Sequence, residues 1–203
     1  ALALGKPVVT ANKALLAEHG AQIFREAEKN KTGVYFEASV GGTIPIVKTL
    51  KESLVGNQID SFMAIMNGTS NYILSKMTDE EKPFDVVLKE AQALGFAEAD
   101  LTFDIEGIDT AHKLAIALSL AYGKRVDIDE IYREGISGIS MQDLEFAKEF
   151  GYRIKLLALA FSRGDLVEAR IHPTMIPVDA MLANVNSNFN AFHIIGSSSG
   201  PVF

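Results

Sequence analysis

The residues that most constrain the fold form one long apolar segment in the middle of the chain, Ile108–Tyr122. Gly123 follows it, as a glycine often follows the last turn of a helix. A helix that is apolar around most of its circumference is stable only when other elements cover it. We therefore expect this helix to lie at the centre of the fold, buried through its apolar residues Leu114, Ala115, Ile116 and Leu118.

Strand and helix patterns alternate along the rest of the chain. β-Branched residues predict strands at 8–10 and 34–39, and Asn12 is placed to cap a helix that runs between them to about Lys29. Later, residues 153–161 and 166–172 have the pattern of a hairpin. This order predicts an α/β chain in which a mixed sheet is covered by helices on one face, an α+β arrangement after an initial βα unit.

Four shorter patterns give local expectations. Ser70 is expected to cap a helix that ends near Met77, and Ser140 with Asp143 has the spacing of a capping box. Residues 177–185 predict a short helix. The acidic stretch 95–107 shows no helical or strand period and predicts an irregular loop.

The composition excludes several classes of protein. The chain has 203 residues and a net charge of −7, which argues against a nucleic-acid backbone as the main partner. Because it has no Cys, it has no disulfide, thiolate zinc site, iron–sulfur cluster or Cys nucleophile, and it suits a reducing compartment such as the cytoplasm. No stretch of about 18 apolar residues predicts a membrane span.

The negative charge is concentrated in one part of the chain. Residues 78–109 contain ten acidic residues and two lysines, so they carry −8, while the rest carries +1. Carboxylates crowded together repel one another unless a cation or a ligand amine is present. Five of these acids lie within twelve residues, just before the apolar helix: Glu98, Asp100, Asp104, Glu106 and Asp109.

Asp109 and Lys113 are four residues apart, so they share one face of the predicted helix. A pair at this spacing is usually a surface salt bridge of small energetic value. The rest of this helix is apolar, however, and a charged start on such a helix is expected to face a cleft. The sequence alone leaves both interpretations open.

Three other segments are candidates for ligand binding. Lys13 follows a strand end, where ligands bind in α/β units, although it is equally an exposed lysine at a helix start. Glu37 precedes Gly41 and Gly42, which can turn carbonyls toward a hard cation or form a plain turn. Residues 66–72 place amides at a strand–helix junction, which suits an anion but is also ordinary capping chemistry.

These segments, in this order, resemble homoserine dehydrogenases over nearly the whole chain. The matching blocks are VVTANKALLA (8–17), FEASVGGTIPI (36–46), NGTSNYIL (67–74) and MIPVDAMLANVN (175–186). One departure is Leu101, where the family usually has Pro. The acidic signature of the family matches at Gly95, Phe96, Glu98, Asp100, Asp104, Gly107, Asp109 and Lys113.

The resemblance implies an enzyme that interconverts L-aspartate 4-semialdehyde and L-homoserine with NAD or NADP, in threonine, methionine and isoleucine biosynthesis. It implies that residues 1–33 are the end of a Rossmann dinucleotide-binding domain. Residues 34–203 would then form the catalytic, substrate-binding and dimerisation domain of a homodimer. The family's GxGxxG segment and its C-terminal Gly-rich return are not in this sequence, so we expect it to be part of a longer chain.

The resemblance also implies roles for individual residues. Lys113 would protonate the alkoxide that forms during reduction, and the catalytic group would be Lys113, Asp109 and Lys13. The residues implied to bind substrate are Glu98, Asp104, Asp109 and Thr69. Those near the cofactor are Asn12, Lys13 and Gly95. A sodium ion would be bound by Glu37 and by the carbonyls of Val40, Gly42 and Ile44.

Two other functions are compatible with the sequence. The chain could be a non-catalytic, truncated dimerisation fragment. It could also belong to a related oxidoreductase that acts on another amino-acid semialdehyde, because the acids indicate an amine-bearing substrate without fixing its length. Titration with NADPH tests the first alternative, and assays with aspartate semialdehyde test the second.

Overall fold

The N-terminal part of the chain forms a parallel strand–helix–strand unit. In the computed structural model, which describes residues 1–96, 101–124, 126–164 and 166–203, β1 (Val8–Val9) and β2 (Val34–Tyr35) pair in parallel, and α1 (Lys13–Lys29) connects them. Asn12 caps α1 as predicted, because its side-chain oxygen accepts a hydrogen bond from the Leu15 amide. The start of α1 therefore lies just beyond the carboxyl end of β1.

The second strand is shorter than the predicted range 34–39. Glu37–Ser39 forms a 3-10 turn, and the Ser39 hydroxyl donates a hydrogen bond to the Phe36 carbonyl at 2.6 Å. Side-chain hydrogen bonds of this local kind compete with strand pairing. Helix α2 (Ile46–Lys48) follows and continues as a π-helical turn over Thr49–Ser53.

A mixed six-stranded sheet forms the rest of the scaffold. Its strands are β3 (Ile59–Ile65), β4 (Tyr132–Arg133), β5 (Tyr152–Arg163), β6 (Leu166–Pro177), β7 (Ala191–Gly196) and β8 (Gly200–Val202). Their spatial order is β4-β6-β5-β3-β7-β8, with β4 and β6 parallel and the other neighbours antiparallel. The predicted mixed sheet and its long hairpin, β5–β6, are confirmed.

The helices pack against one face of this sheet, and the apolar helix lies among them as predicted. All residues from Asp109 to Leu118 are buried except Lys113. Their apolar side chains share one core with sheet residues such as Phe62 and Ala158. The remaining helices are α3 (Gly68–Glu80), α4 (Phe84–Ala93), α5 (Thr102–Ile105), α6 (Ile108–Tyr122) and α7 (Met141–Glu149), with 3-10 turns at Leu2–Leu4, Ile128–Glu130 and Met181–Asn184.

Three local predictions are wrong, and one is confirmed. Asn67 rather than Ser70 caps α3, because its Oδ1 accepts a hydrogen bond from the Ser70 amide at 2.8 Å. Part of the stretch expected to be irregular is helical, as α5. The helix predicted at 177–185 is reduced to the 3-10 turn at 181–184, since β6 extends to Pro177. The capping box of Ser140 and Asp143 is present at the start of α7.

The two faces of the sheet are covered differently. The face opposite the helices carries a second apolar cluster, which borders a groove of about 420 Å³. Met175 and Met181 line this groove with about half of their surface exposed. Within the described ranges, no helix has the length and hydropathy needed to cross a membrane. The buried members of the second cluster are Ile65, Leu157, Leu159, Ile176, Leu182, Ala183 and Ala191.

Candidate active site

Asp109 is the centre of an ion-pair cluster between the first turns of α1 and α6. Lys113 lies one turn further along α6, and its Nζ is 2.6 Å from Asp109 Oδ2. Lys13, the first residue of α1, places its Nζ 3.0 Å from Asp109 Oδ1. The Asp109 side chain is only 6% exposed. The structure thus joins the two lysines, which are far apart in the sequence, through the two oxygens of one buried carboxylate.

The charge on Asp109 is set by these partners. Burial alone would raise the pKa of Asp109, but the charge and hydrogen bond of Lys113, the hydrogen bond of Asn67 and the charge of Lys13 outweigh burial. Together they hold the pKa below its ordinary value. Asp109 is therefore ionised at neutral pH.

Asn67 connects this cluster to a second acidic residue. The Asn67 Nδ2 donates hydrogen bonds to Asp104 Oδ1 at 2.8 Å and to Asp109 Oδ2 at 3.0 Å. Its Oδ1 caps α3, so both ends of the amide have partners. The Ser70 hydroxyl adds a hydrogen bond to the Asp104 backbone carbonyl at 3.1 Å. One amide thus holds two carboxylates side by side, although Asn67 was no candidate for this role in the sequence.

Lys113 is oriented by two acceptors. Its Nζ donates to the Met66 carbonyl at 2.8 Å as well as to Asp109, and 17% of the side chain remains exposed. An ammonium group has three N–H donors. Two of them are used by these acceptors, which leaves one N–H for a ligand.

A polar cavity of about 250 Å³ opens beside the cluster. Most of its wall comes from the junction of β3 and α3 and from the first turn of α6. The Thr69 hydroxyl closes part of the rim by donating to the Phe96 carbonyl at 2.8 Å. The cavity can hold a small polar molecule, and its lining residues are Asn67, Gly68, Thr69, Phe96, Asp104, Asp109, Lys113 and Asn188.

The predicted residues divide into three groups. Lys13, Thr69, Asp104, Asp109 and Lys113 come together, as described above. Asn12 and Gly95 lie at helix ends: the Asn12 side chain caps α1, and Gly95 follows α4 with a φ of 74°. Glu98 and Asp100 lie outside the described residues.

The predicted cation segment is organised around the Glu37 carboxylate. Its Oε1 accepts from the Val47 amide at 2.7 Å, and its Oε2 accepts from the Lys48 amide at 3.0 Å. The Ile44 carbonyl accepts from the Ile46 amide at 2.8 Å. Glu37 therefore caps α2. In the described part of the chain, no group of three or more His, Asp or Glu residues is arranged to hold a metal ion.

Comparison with known proteins gives one consistent result. A family model described as homoserine dehydrogenase matches residues 45–203. A homoserine dehydrogenase from Neisseria gonorrhoeae is 52% identical over 190 residues, which cover 94% of this chain and 44% of that protein. The crystal structure of a homoserine dehydrogenase from Thiobacillus denitrificans aligns with a TM-score of 0.96 at 50% identity, covering 99% of this chain and 47% of that one.

A structure of a hyperthermophilic archaeal homoserine dehydrogenase in complex with NADPH also aligns. Its TM-score is 0.83 at 32% identity, and the match covers 99% of this chain and 58% of that one. The chain spans about half the length of the curated relatives it matches. From the family match over most of its residues and the identity of these relatives, we conclude that this chain belongs to the homoserine dehydrogenase family.

Proposed function

We propose that the complete protein is an NAD(P)-dependent homoserine dehydrogenase that interconverts L-aspartate 4-semialdehyde and L-homoserine. The observation that carries the proposal is the pairing of Lys13 and Lys113 with the two oxygens of buried Asp109, at the wall of a small polar cavity. A reaction that generates an alkoxide needs a charged donor in such a place. Family membership supports the choice of substrate.

The cavity suits a substrate that carries an ammonium group, a carboxylate and a carbonyl. The carboxylates of Asp104 and Asp109 attract the ammonium, and Glu98 joins them by its place in the family signature. Thr69 and Gly68 present the first turn of α3, whose amides attract a carboxylate. The carbonyl is then left to face Lys113.

The proton transfer is assigned to Lys113. When hydride adds to the aldehyde carbon, the electron pair of the C=O bond moves to oxygen, and this oxygen takes a proton from the Lys113 ammonium. The remaining N–H of Lys113 is available for that step, because Met66 and Asp109 hold the other two. Lys13, on the opposite oxygen of Asp109, orients the carbonyl from the side of β1. In the oxidative direction the substrate hydroxyl gives up its proton as hydride leaves, and because this direction releases a proton, oxidation is favoured at alkaline pH.

A bound NADPH or NADH would supply the hydride for reduction, and its oxidised form would accept the hydride in the reverse direction. The residues at this edge of the fold are suited to border such a cofactor. Lys13 stands at the carboxyl end of β1, where α/β units bind ligands. Among the described residues other than Gly95 and its chain neighbours, none has an atom within 4 Å of the place where a Cβ on Gly95 would lie. Asn12 uses its side chain as a cap, so its contact would be through the backbone. The β1–α1–β2 unit supports the assignment of residues 1–33 to the end of a dinucleotide-binding domain.

We assign a sodium ion to the turn after β2, with Glu37, Val40, Gly42 and Ile44 as ligands. A carboxylate offers about four lone-pair positions, and the capping hydrogen bonds of Glu37 use two of them. The Glu37 carboxylate therefore keeps lone pairs for a sodium ion although it also caps α2. Turnover that is stimulated by Na⁺ but not by equal Li⁺ supports this ligand set, and loss of that stimulation in Glu37→Gln ties it to Glu37.

We assign the apolar face of the sheet to a homodimer contact. The groove there has apolar walls and half-exposed methionines, and a second copy of the same face matches it by symmetry. Met175→Glu places a charge in the groove and should halve the mass of the complete protein in solution. Val55→Glu, at an exposed site away from the groove, should leave the mass unchanged. A monomeric wild type contradicts the assignment.

The function is tested with Lys113→Met in the complete protein. Homoserine-dependent reduction of NAD⁺ or NADP⁺ should fall by more than about 10³-fold, because the group that takes the proton from the substrate hydroxyl is lost, while binding of NADPH stays intact. Lys29→Met, at the exposed end of α1, is the matched control and should retain full turnover. Near-normal turnover in Lys113→Met contradicts the proposal. Wild-type activity only with another amino-acid alcohol would instead indicate a related semialdehyde oxidoreductase, and failure to bind either nucleotide would indicate a non-catalytic dimerisation protein.

A further inference from the structure

A second buried lysine lies outside the ion-pair cluster. Lys155 of β5 is 1% exposed, yet its Nζ lies within hydrogen-bond distance of four oxygens. Two of them belong to α3: Asn71 Oδ1 at 3.0 Å and Ser75 Oγ at 3.1 Å. The other two follow the 3-10 turn at 181–184: the Val185 carbonyl at 2.7 Å and Asn186 Oδ1 at 3.3 Å. Lys155 thus ties three parts of the chain together.

Asn71 completes this connection. Its Nδ2 donates to the Val185 carbonyl at 2.9 Å and to the Phe189 carbonyl at 3.0 Å. The segment between these carbonyls is neither helix nor strand, and Ser187 within it has a φ of 57°, in the left-handed region that disfavours side chains. Regular secondary structure does not fix this segment, so side-chain hydrogen bonds hold it: those from Lys155 and Asn71, and one from Arg153 Nη1 to Asn186 Oδ1 at 3.1 Å.

The segment is also a wall of the polar cavity. Asn188 lines the cavity together with Asp109 and Lys113. It approaches the start of α3 so closely that a Cβ added to Gly68 would lie 2.6 Å from the Asn188 carbonyl oxygen. A shift of the segment by a fraction of an ångström therefore changes the width of the cavity at the first turn of α3.

Burial of Lys155 is costly, and a stable fold does not require it. An apolar side chain of similar length would fill the same space without removing a charge from water. Burial and the charge of neighbouring Arg153 lower the pKa of Lys155 to about 8, so the ammonium is still present at neutral pH. A charged donor that is retained under these conditions, with acceptors on two sides, is suited to fixing the relative position of α3 and the segment.

We propose that Lys155 and Asn71 are positioning residues, which hold residues 185–190 as the wall of the substrate cavity and so set the affinity for the substrate. This inference rests on the proposed function for the identity of the substrate, but the position of the wall is measurable without it. Lys155 and Asn71 act through the segment and contact no reacting atom.

The test compares three variants of the complete protein. Lys155→Met and Asn71→Ala remove hydrogen bonds to the segment, whereas Ser75→Ala removes a hydrogen bond from Lys155 to α3 only. Hydrogen exchange of the Val185 amide, which donates to the Leu182 carbonyl at 3.3 Å, should accelerate by about tenfold or more in the first two variants and stay at the wild-type rate in Ser75→Ala. The KM for homoserine should rise by about tenfold in the first two, with kcat within about twofold of wild type.

The outcomes separate the inference from the proposed function. If the wild type does not oxidise homoserine, the proposed function is wrong, and hydrogen exchange alone decides whether Lys155 and Asn71 hold the wall. Unchanged exchange of the Val185 amide in a folded Lys155→Met or Asn71→Ala overturns the inference. An equal acceleration of hydrogen exchange in Ser75→Ala also overturns the inference, because it would indicate a general loss of packing. If Lys155→Met fails to fold, Asn71→Ala decides, since it leaves three of the partners of Lys155 in place.

Discussion

Two lysine sites lie along α3, and they differ in the groups that compensate the positive charge of the ammonium. At the start of the helix, Lys13 and Lys113 share the carboxylate of Asp109 and keep 33% and 17% of their side chains exposed. One to two turns further along, Lys155 is buried, and its hydrogen-bond partners are oxygens of uncharged groups. The first environment leaves an ammonium group within reach of a ligand, as the proposed proton transfer requires. The second keeps it fixed and out of reach, as positioning requires.

The largest effect is expected from removing the shared charge. Asp109→Asn keeps the shape of the side chain but leaves Lys13 and Lys113 facing each other without a carboxylate. Breaking a buried ion pair in this way costs about 3–5 kcal/mol, and turnover should fall by about 10³-fold. The measurement is steady-state oxidation of homoserine, with Asp129→Asn on the surface as control. Turnover within tenfold of wild type would show that the two lysines do not depend on Asp109.

A smaller loss is expected when the carboxylates lose their common donor. Asn67→Asp retains an oxygen that can cap α3 but replaces the N–H donors with a third negative charge beside Asp104 and Asp109. Turnover at pH 8 should fall by about 100-fold, and the melting temperature should fall as well, because three crowded carboxylates repel one another even though the cap is kept. A large drop in melting temperature with normal turnover per folded molecule would mean that Asn67 serves only the helix start.

Narrowing the cavity should have a moderate effect. Gly68→Ala brings a methyl group to 2.6 Å from the Asn188 carbonyl, so the wall must move. The KM for homoserine should rise by about tenfold, since overpacking of this kind costs about 1–3 kcal/mol. Gly56→Ala is the matched control, because its added methyl group meets open space. Equal KM values for Gly68→Ala and Gly56→Ala would mean that the position of the wall does not affect substrate binding.

The smallest effect concerns pH and sharpens the contrast between the two lysine sites. The pKa of Lys155 is lowered to about 8 in the folded protein, so from pH 8 to 10.5 the unfolded chain binds more protons and the free energy of unfolding rises with pH. Relative to Lys155→Met, wild type should gain about 1 kcal/mol between pH 7.5 and 9 in urea unfolding. Asp109, whose pKa is lowered, stabilises the fold above its ordinary pKa and loses that contribution only in acid. If the difference in the free energy of unfolding between wild type and Lys155→Met does not change with pH, the pKa of Lys155 is not lowered in the folded protein.

The structural features that the sequence predicts correctly are those that depend on residues close together in the chain. The Asn12 cap, the Ser140–Asp143 box and the apolar helix of Asp109 follow from short-range patterns, and all three are present. Asn67 and Lys155 were missed for one reason. Asn67 bonds to Asp104, 37 residues away, and Lys155 bonds to Asn71 and Ser75, 84 and 80 residues away. A local sequence pattern does not predict contacts over such distances along the chain. Lys155 also lies in a run of buried residues, Ile154–Ala160, whose other members are all apolar, so the local pattern predicts a core strand and no role for a charged side chain.

The cavity has one further property, which follows from the ends of three helices. Lys13 is the first residue of α1, Asn67 caps α3, and Asp109 lies in the first turn of α6. Residues at the amino termini of all three helices therefore meet at the Asp109 carboxylate, and each such terminus is equivalent to roughly half a positive charge. These partial positive charges offset part of the negative charge that Asp104 and Asp109 concentrate there, so the peptide backbone, and not the lysines alone, compensates the two carboxylates.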